Sequence, residues 1–226
     1  MVLMMSEVTI RNKELLKTLD SFVEDFFSRD YSSTDYQVYS SERDKTNGEY
    51  FCSKDYLTEC LSRDTLVGVP DRHFAQPISK MVRANPDVWS EYMKRVKYDF
   101  AAEIGAHTSA LLSYYPPGGF VGWHTNYDAS AYQVLFTWSK SGNGYFKYRD
   151  NDTGEIVTLQ DVPGWQCRHF YFAPEDEPKD ICWHSAYAGE DRITLAYKFC
   201  GYGKGDVRDQ QARDLRDLLI EDIESE

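Results

Sequence analysis

The chain contains no Cys-x-x-Cys pair, and its five cysteines, Cys52, Cys60, Cys167, Cys182 and Cys200, are an odd number. Neither a zinc ribbon nor a complete disulfide framework is encoded, which fits a reducing compartment. Long apolar runs are also missing. No stretch approaches the ~18 residues of a spanning helix, and the leading MVLMMSEVTIRNKELLK turns polar too early for a secretory signal. A cytoplasmic protein without a membrane role is the expectation. Positive charge is scarce: 25 Lys and Arg face 37 Asp and Glu, for a formal net charge of −12, and basic residues occur as scattered pairs such as Lys94-Arg95. Charge of this sign repels phosphate backbones, so a nucleic-acid partner is disfavoured. Internal repeats and low-complexity tracts are absent.

Aromatic side chains are plentiful, with 17 Tyr, 12 Phe and 5 Trp in 226 residues, and large half-buried side chains of this kind suit strands. The length is that of one large domain or one domain with a helical annex. Leu15, Leu16, Leu19, Phe22, Val23, Phe26 and Phe27 recur at three- and four-residue steps, predicting a helix from Asn12 to Ser28. Tyr36, Val38 and Tyr39 suggest a short strand, Thr46-Asn47-Gly48 a turn, and Tyr56 to Leu66 a helix. Asn85 caps and Pro86 opens a second long helix, predicted over residues 85–104.

After His107 the period changes. Eight short runs follow, TSALLSYY, VGWHTN, YQVLFTWS, GYFKYRD, EIVTLQD, RHFYFAP, DICWHSAY and ITLAYKF, separated by turn residues such as Ser141-Gly142-Asn143-Gly144, Asn151-Asp152-Thr153-Gly154 and Pro163-Gly164. The expected fold is α+β and mainly β: a double-stranded β-helix, a jelly-roll or cupin-like barrel, buttressed by N-terminal helices. Residues 1–107 form the helical support, 108–200 the barrel and 201–226 an acidic C-terminal helix. Glycines 201, 203 and 205 make a flexible approach to that helix, which packs on its own chain or on a partner.

On an extended strand His124 and Asn126 point to one side while Thr125 points away. His184 lies in the seventh run, and histidines from two strands of a small barrel can meet at its mouth. Iron(II) chemistry with oxygen needs few protein ligands on one face and open positions beside them, a need met by two His and a carboxylate. Arg192 opens the last strand, where an inward guanidinium would hold a carboxylate through two charge-assisted hydrogen bonds.

Tyr115-Pro116-Pro117-Gly118-Gly119-Phe120-Val121-Gly122-Trp123-His124, then an aromatic strand, then Trp183-His184 and Arg192-Ile193-Thr194, resembles the core of the iron(II)- and 2-oxoglutarate-dependent oxygenases, the prolyl hydroxylases in particular. The resemblance covers Thr108 to Phe199. It implies that His124 and His184 bind iron, that Arg192 holds the distal carboxylate of 2-oxoglutarate with help from Tyr115 and Thr194, and that Trp123, Trp138 and Trp183 wall the pocket or stack on substrate. It also implies hydroxylation of a C–H bond, with a peptide or protein side chain as the leading substrate class and a small molecule next.

The sequence departs from the family where Asp or Glu stands two residues after the first His. Asn126 there offers an oxygen but no charge. The third ligand is then Asn126, or Asp128 after a bend, or the two histidines hold metal alone; a further alternative is a barrel kept for binding or structure after catalysis was lost. Plainer roles compete at each position. A lone strand His is usually structural, aromatics usually fill cores, and the plainer role of Arg192 is an exposed pairing with Glu190 or Asp191. His73, His107 and His169 lack partners at ligand spacing and are expected at the surface or in packing, with His169 facing solvent.

Overall fold

The computed structural model describes residues 5–36, 47–199 and 207–225. The strand expected at Val38 and Tyr39, Thr46 of the turn, Cys200 and the glycine-rich approach lie outside them. The order is β1 (Met5–Val8), α1 (Lys13–Ser28), α2 (Gly48–Phe51), α3 (Lys54–Leu61), β2 (His73–Phe74), β3 (Gln76–Pro77), α4 (Ile78–Met81) and α5 (Pro86–Tyr92). A π-helical stretch (Met93–Asp99) and α6 (Phe100–Glu103) continue α5. Then come β4 (Thr108–Tyr115), β5 (Gly119–His124), β6 (Ala131–Ser139), β7 (Gly144–Arg149), β8 (Ile156–Gln160), β9 (Gly164–Phe172), β10 (His184–Ala188), β11 (Arg192–Phe199) and α7 (Val207–Glu224).

The strands form two antiparallel sheets, one ordered β1-β9-β6-β11-β4-β3 and the other β2-β5-β10-β7-β8. Each of the eight runs expected after His107 contributes a strand, and β1 to β3 add short edge strands from the N-terminal third. Those three were not expected, because segments of two to four residues carry no readable period and are defined by their neighbours' ladders.

Alternation along the central strands sets up a two-sided sheet. On β11, Ile193, Leu195, Tyr197 and Phe199 face the helices, as do Tyr132, Val134 and Phe136 of β6. They bury against Leu15, Leu19, Phe22 and Phe26 of α1 and against Val96 and Phe100 of the second helical run. The other parity, Arg192, Thr194, Ala196 and Lys198 of β11 with Gln133 and Leu135 of β6, lines a cavity between the sheets. Helix α1 begins as read: Asn12 Oδ1 accepts from the N–H of Glu14 and Leu15. The predicted helix over 85–104 widens into π geometry in its middle, where Tyr197 donates its hydroxyl to the Val96 carbonyl at 2.9 Å. Helix α3 stops at Leu61 rather than Leu66. Helix α7 packs on its own chain through Ala212, Leu219 and Ile223, and no described helix is long and apolar enough to cross a membrane.

Candidate functional site

The cavity has a volume of about 460 Å³ and draws its lining from both sheets, a size typical of small-molecule sites. His124 ends β5 and His184 opens β10, and the two are direct cross-strand partners. The register between these strands slips, so that Val121 opposes Ala186, two residues after His184, although it lies three residues before His124. This bulge turns His124 to the same side as Val121, against strict alternation, and such bulges commonly re-aim a side chain at a site. It also sends Trp123 the other way. Approach to β5 uses Gly118 at a φ of 80°, left-handed geometry that glycine adopts without penalty.

The imidazoles sit 4.0 Å apart between centroids. His124 Nδ1 lies 2.8 Å from the Gly122 carbonyl and His184 Nδ1 2.9 Å from the Cys182 carbonyl. A carbonyl only accepts, so both rings carry the proton on Nδ1 and leave Nε2 as a lone pair. Burial pushes the His124 pKa down to about 4, opposed by the bond to Gly122. Burial and the neighbouring His124 hold His184 well below the usual imidazole range. Both rings are therefore neutral at pH 7. Phe146 and Phe172 pack on His184 at 5.6 and 4.6 Å, fixing its plane and excluding water.

Asn126 does not continue the strand, contrary to the extended geometry assumed from sequence. It takes a left-handed conformation with φ of 57°, held by its N–H to the Gly68 carbonyl and by Thr125, whose N–H and hydroxyl both donate to Val67. The side chain nevertheless returns to the site, with Nδ2 3.2 Å from His184 Nε2. A half-turn of the amide presents Oδ1 instead. Asp128 lies in a short 3₁₀ turn, Tyr127–Ala129, against Gly68, where a Cβ would come within 2.6 Å of Asp128 Oδ1. Among the described residues no three His, Cys, Asp or Glu side chains converge. The donor set that does converge is two neutral imidazoles with an amide beside them. Two adjacent neutral imidazoles, each backed by a carbonyl on Nδ1, are a donor set that suits a first-row divalent metal such as iron(II). The residues present fit such an ion, with its charge left uncompensated by a carboxylate.

Arg192 is buried, and not an exposed partner of Glu190 or Asp191. Its Nε donates to Asp161 Oδ2 at 2.8 Å and its Nη1 to Thr194 Oγ1 at 2.9 Å. Its guanidinium stands 5.0 Å over the Tyr115 ring. Burial works against the charge, but Asp161 and Tyr115 outweigh it and keep Arg192 protonated. Burial drives the Tyr115 hydroxyl up, so it stays a donor. Asp161 also accepts from Gln166 at 2.8 Å and lies 3.5 Å from Arg168. Gly144 makes this possible, since a Cβ there would sit 2.6 Å from Asp161 Oδ2. Two of the five guanidinium N–H groups of Arg192 are thus taken by Asp161 and Thr194, and the side chain still lines the cavity.

The three tryptophans lie outside the cavity lining. Trp123 is fully buried with Trp183 in a separate cluster and donates to the Ser53 carbonyl at 2.8 Å. Trp138 has the helix-facing parity of β6 and packs 5.2 Å from Phe27. The bulge turns Trp123 away from the cavity, Trp183 clusters with it, and strand parity turns Trp138 towards the helices. His73 lines the cavity, although its sequence gave no such signal, and His169 is half-buried rather than solvent-facing. Asp161 was also missed, because a carboxylate at a turn reads as solvated until the opposing arginines are placed.

No protein-family model matches the chain, and no curated protein matches it. Among solved structures it is similar to a Pseudomonas putida prolyl-4-hydroxylase, at 13% identity and a TM-score of 0.41 over 87% of this chain and 93% of that one. It is also similar to OsALKBH1, at 12% identity and a TM-score of 0.29 over 48% of this chain and 64% of that one. Both likenesses are distant, and the site's own geometry is what supports a function.

Proposed function

We propose that this protein is an iron(II)- and 2-oxoglutarate-dependent oxygenase whose two sheets form a double-stranded β-helix, supported by residues 1–107 and followed by the acidic helix. The observation that carries the reading is the pair of neutral Nε2 atoms on one wall of a cavity that also holds the buried guanidinium of Arg192. Iron(II) and 2-oxoglutarate, when bound, supply the oxygen chemistry that hydroxylates an unactivated C–H bond. The chain's own part is to bind, orient and keep water out.

In this reading His124 and His184 hold the metal, their orientation fixed by the Gly122 and Cys182 carbonyls. Asn126 contributes its amide oxygen or stands aside, and both fit better than Asp128, which is turned onto Gly68. Arg192 fixes the distal carboxylate of 2-oxoglutarate, with Tyr115 and Thr194 completing the cradle and Asp161 keeping the guanidinium in place. The substrate is a peptidyl side chain or a small molecule, and the net charge of −12 disfavours nucleic acid.

Release of labelled CO₂ from carboxyl-labelled 2-oxoglutarate tests this. Wild type with iron(II) and oxygen should decarboxylate slowly without substrate, and His124→Ala should not. One observation favours a second reading, a barrel kept for binding or structure: the Asn126 Nδ2 contact occupies the His184 lone pair. That reading expects no decarboxylation from wild type or from Asn126→Asp.

A further inference from the structure

The inward face of β11 carries a cation at each end. Arg192 is held by Asp161, whereas Lys198, six residues on and about 20 Å along an extended strand, has no acidic partner among the described residues and lines the same cavity. Its cross-strand neighbours are Gln133 on β6 and Thr108 on β4, and both also line it. Gln133 is only 5% exposed, and its side chain lines the cavity. An amide and a hydroxyl that open on a cavity on either side of an ammonium with no acidic partner among the described residues make a place for a ligand.

This cradle lies at the histidine end. Gln133 is two residues from Ala131, whose strand partner Phe172 packs 4.6 Å from His184. Between it and the exterior the lining is apolar and partly open, with Leu111 38% and Val69 67% exposed. We infer that Lys198, Gln133 and Thr108 form a carboxylate-binding subsite distinct from that of Arg192, so that the substrate carries an acid group joined to an apolar segment. Lys198 provides the charge, and the Gln133 amide N–H and Thr108 hydroxyl donate to the carboxylate oxygens. As a substrate subsite this rests on the oxygenase reading; as a carboxylate site it rests on the cavity alone.

Calorimetric titration of the full chain with octanoate, octanol and the capped peptide acetyl-Ala-Asp-Ala-amide, alongside 2-oxoglutarate, tests it. Octanoate or the peptide should bind, octanol much more weakly, and whichever acid binds better identifies a free or a peptidyl carboxylate. Lys198→Gln should weaken the acid by at least about tenfold, the loss expected for one hydrogen bond to a charged group. Lys198→Arg should restore it, and Arg192→Gln should leave it unchanged while weakening 2-oxoglutarate. Equal binding of octanol and octanoate, no binding of either acid, or loss of the acid in Arg192→Gln alone would overturn the inference. The octanol comparison uses wild type and holds even if Lys198→Gln fails to fold. Absence of 2-oxoglutarate binding sinks the oxygenase reading while leaving the octanoate result readable.

Discussion

Asp161 and Asn126 are the two side chains on which the chemistry of the site turns. Asp161 is fully buried, as is nearly all of its partner Arg192, and removing one member of such a pair leaves the other charged and unpaired. Asp161→Ala should therefore cost about 3–5 kcal/mol in urea unfolding, whereas an effect within the error of the melt would show that Arg192 finds another partner. Asn126→Asp restores a carboxylate beside two neutral imidazoles, and iron(II) affinity should rise in an anaerobic competition with a chelator; unchanged affinity would place residue 126 outside the coordination sphere. The ordered set of His124, His184 and Arg192 was legible because motif spacing and chain order survive without coordinates, although parity alone would not have aimed His124 inward. The tryptophans were not, since a single bulge between Val121 and His124 reverses which neighbours face in. Asp161 was hidden for another reason: its role depends on Gly144, Gln166 and Arg168, which only the paired sheets bring to it.

Among the elements, those with a long period were read well and those without were missed. Helix α1 and the helical run from Pro86 were visible in their apolar stripes and caps, and the hairpin turns in their glycines. Strands β1, β2 and β3 are too short to show alternation and exist because β9, β5 and β4 offer free edges. The Asn12 cap ties α1 to the chain's far end as well, through Asn12 Nδ2 to Asp222 at 3.1 Å. Asn12→Ala should lower stability by about 1 kcal/mol, read as a shift in urea midpoint at constant slope; an unchanged midpoint would mean that solvent replaces the cap.

For the molecule as a whole, the acidic balance and the turn joining β10 to β11 shape the response to pH. Partial burial disfavours charge on Glu190, yet donors from Ser141, Ser139 and Asn143 overcome it and draw its pKa from 4.5 to about 2. Because the folded value is depressed, the stability Glu190 adds is fully present above 4.5 and fades as pH falls towards 2. Glu190→Gln should lose stability at neutral pH and flatten this acid limb, and a parallel acid limb in the variant would contradict the assignment. The central claim concerns the cavity between the sheets, and anaerobic titration of the apoprotein with iron(II) and 2-oxoglutarate addresses it most directly. The account predicts a visible charge-transfer band in wild type, lost in His184→Ala and weakened in Arg192→Ala. Failure of the band to appear at millimolar ligand, or its persistence in His184→Ala, would contradict it.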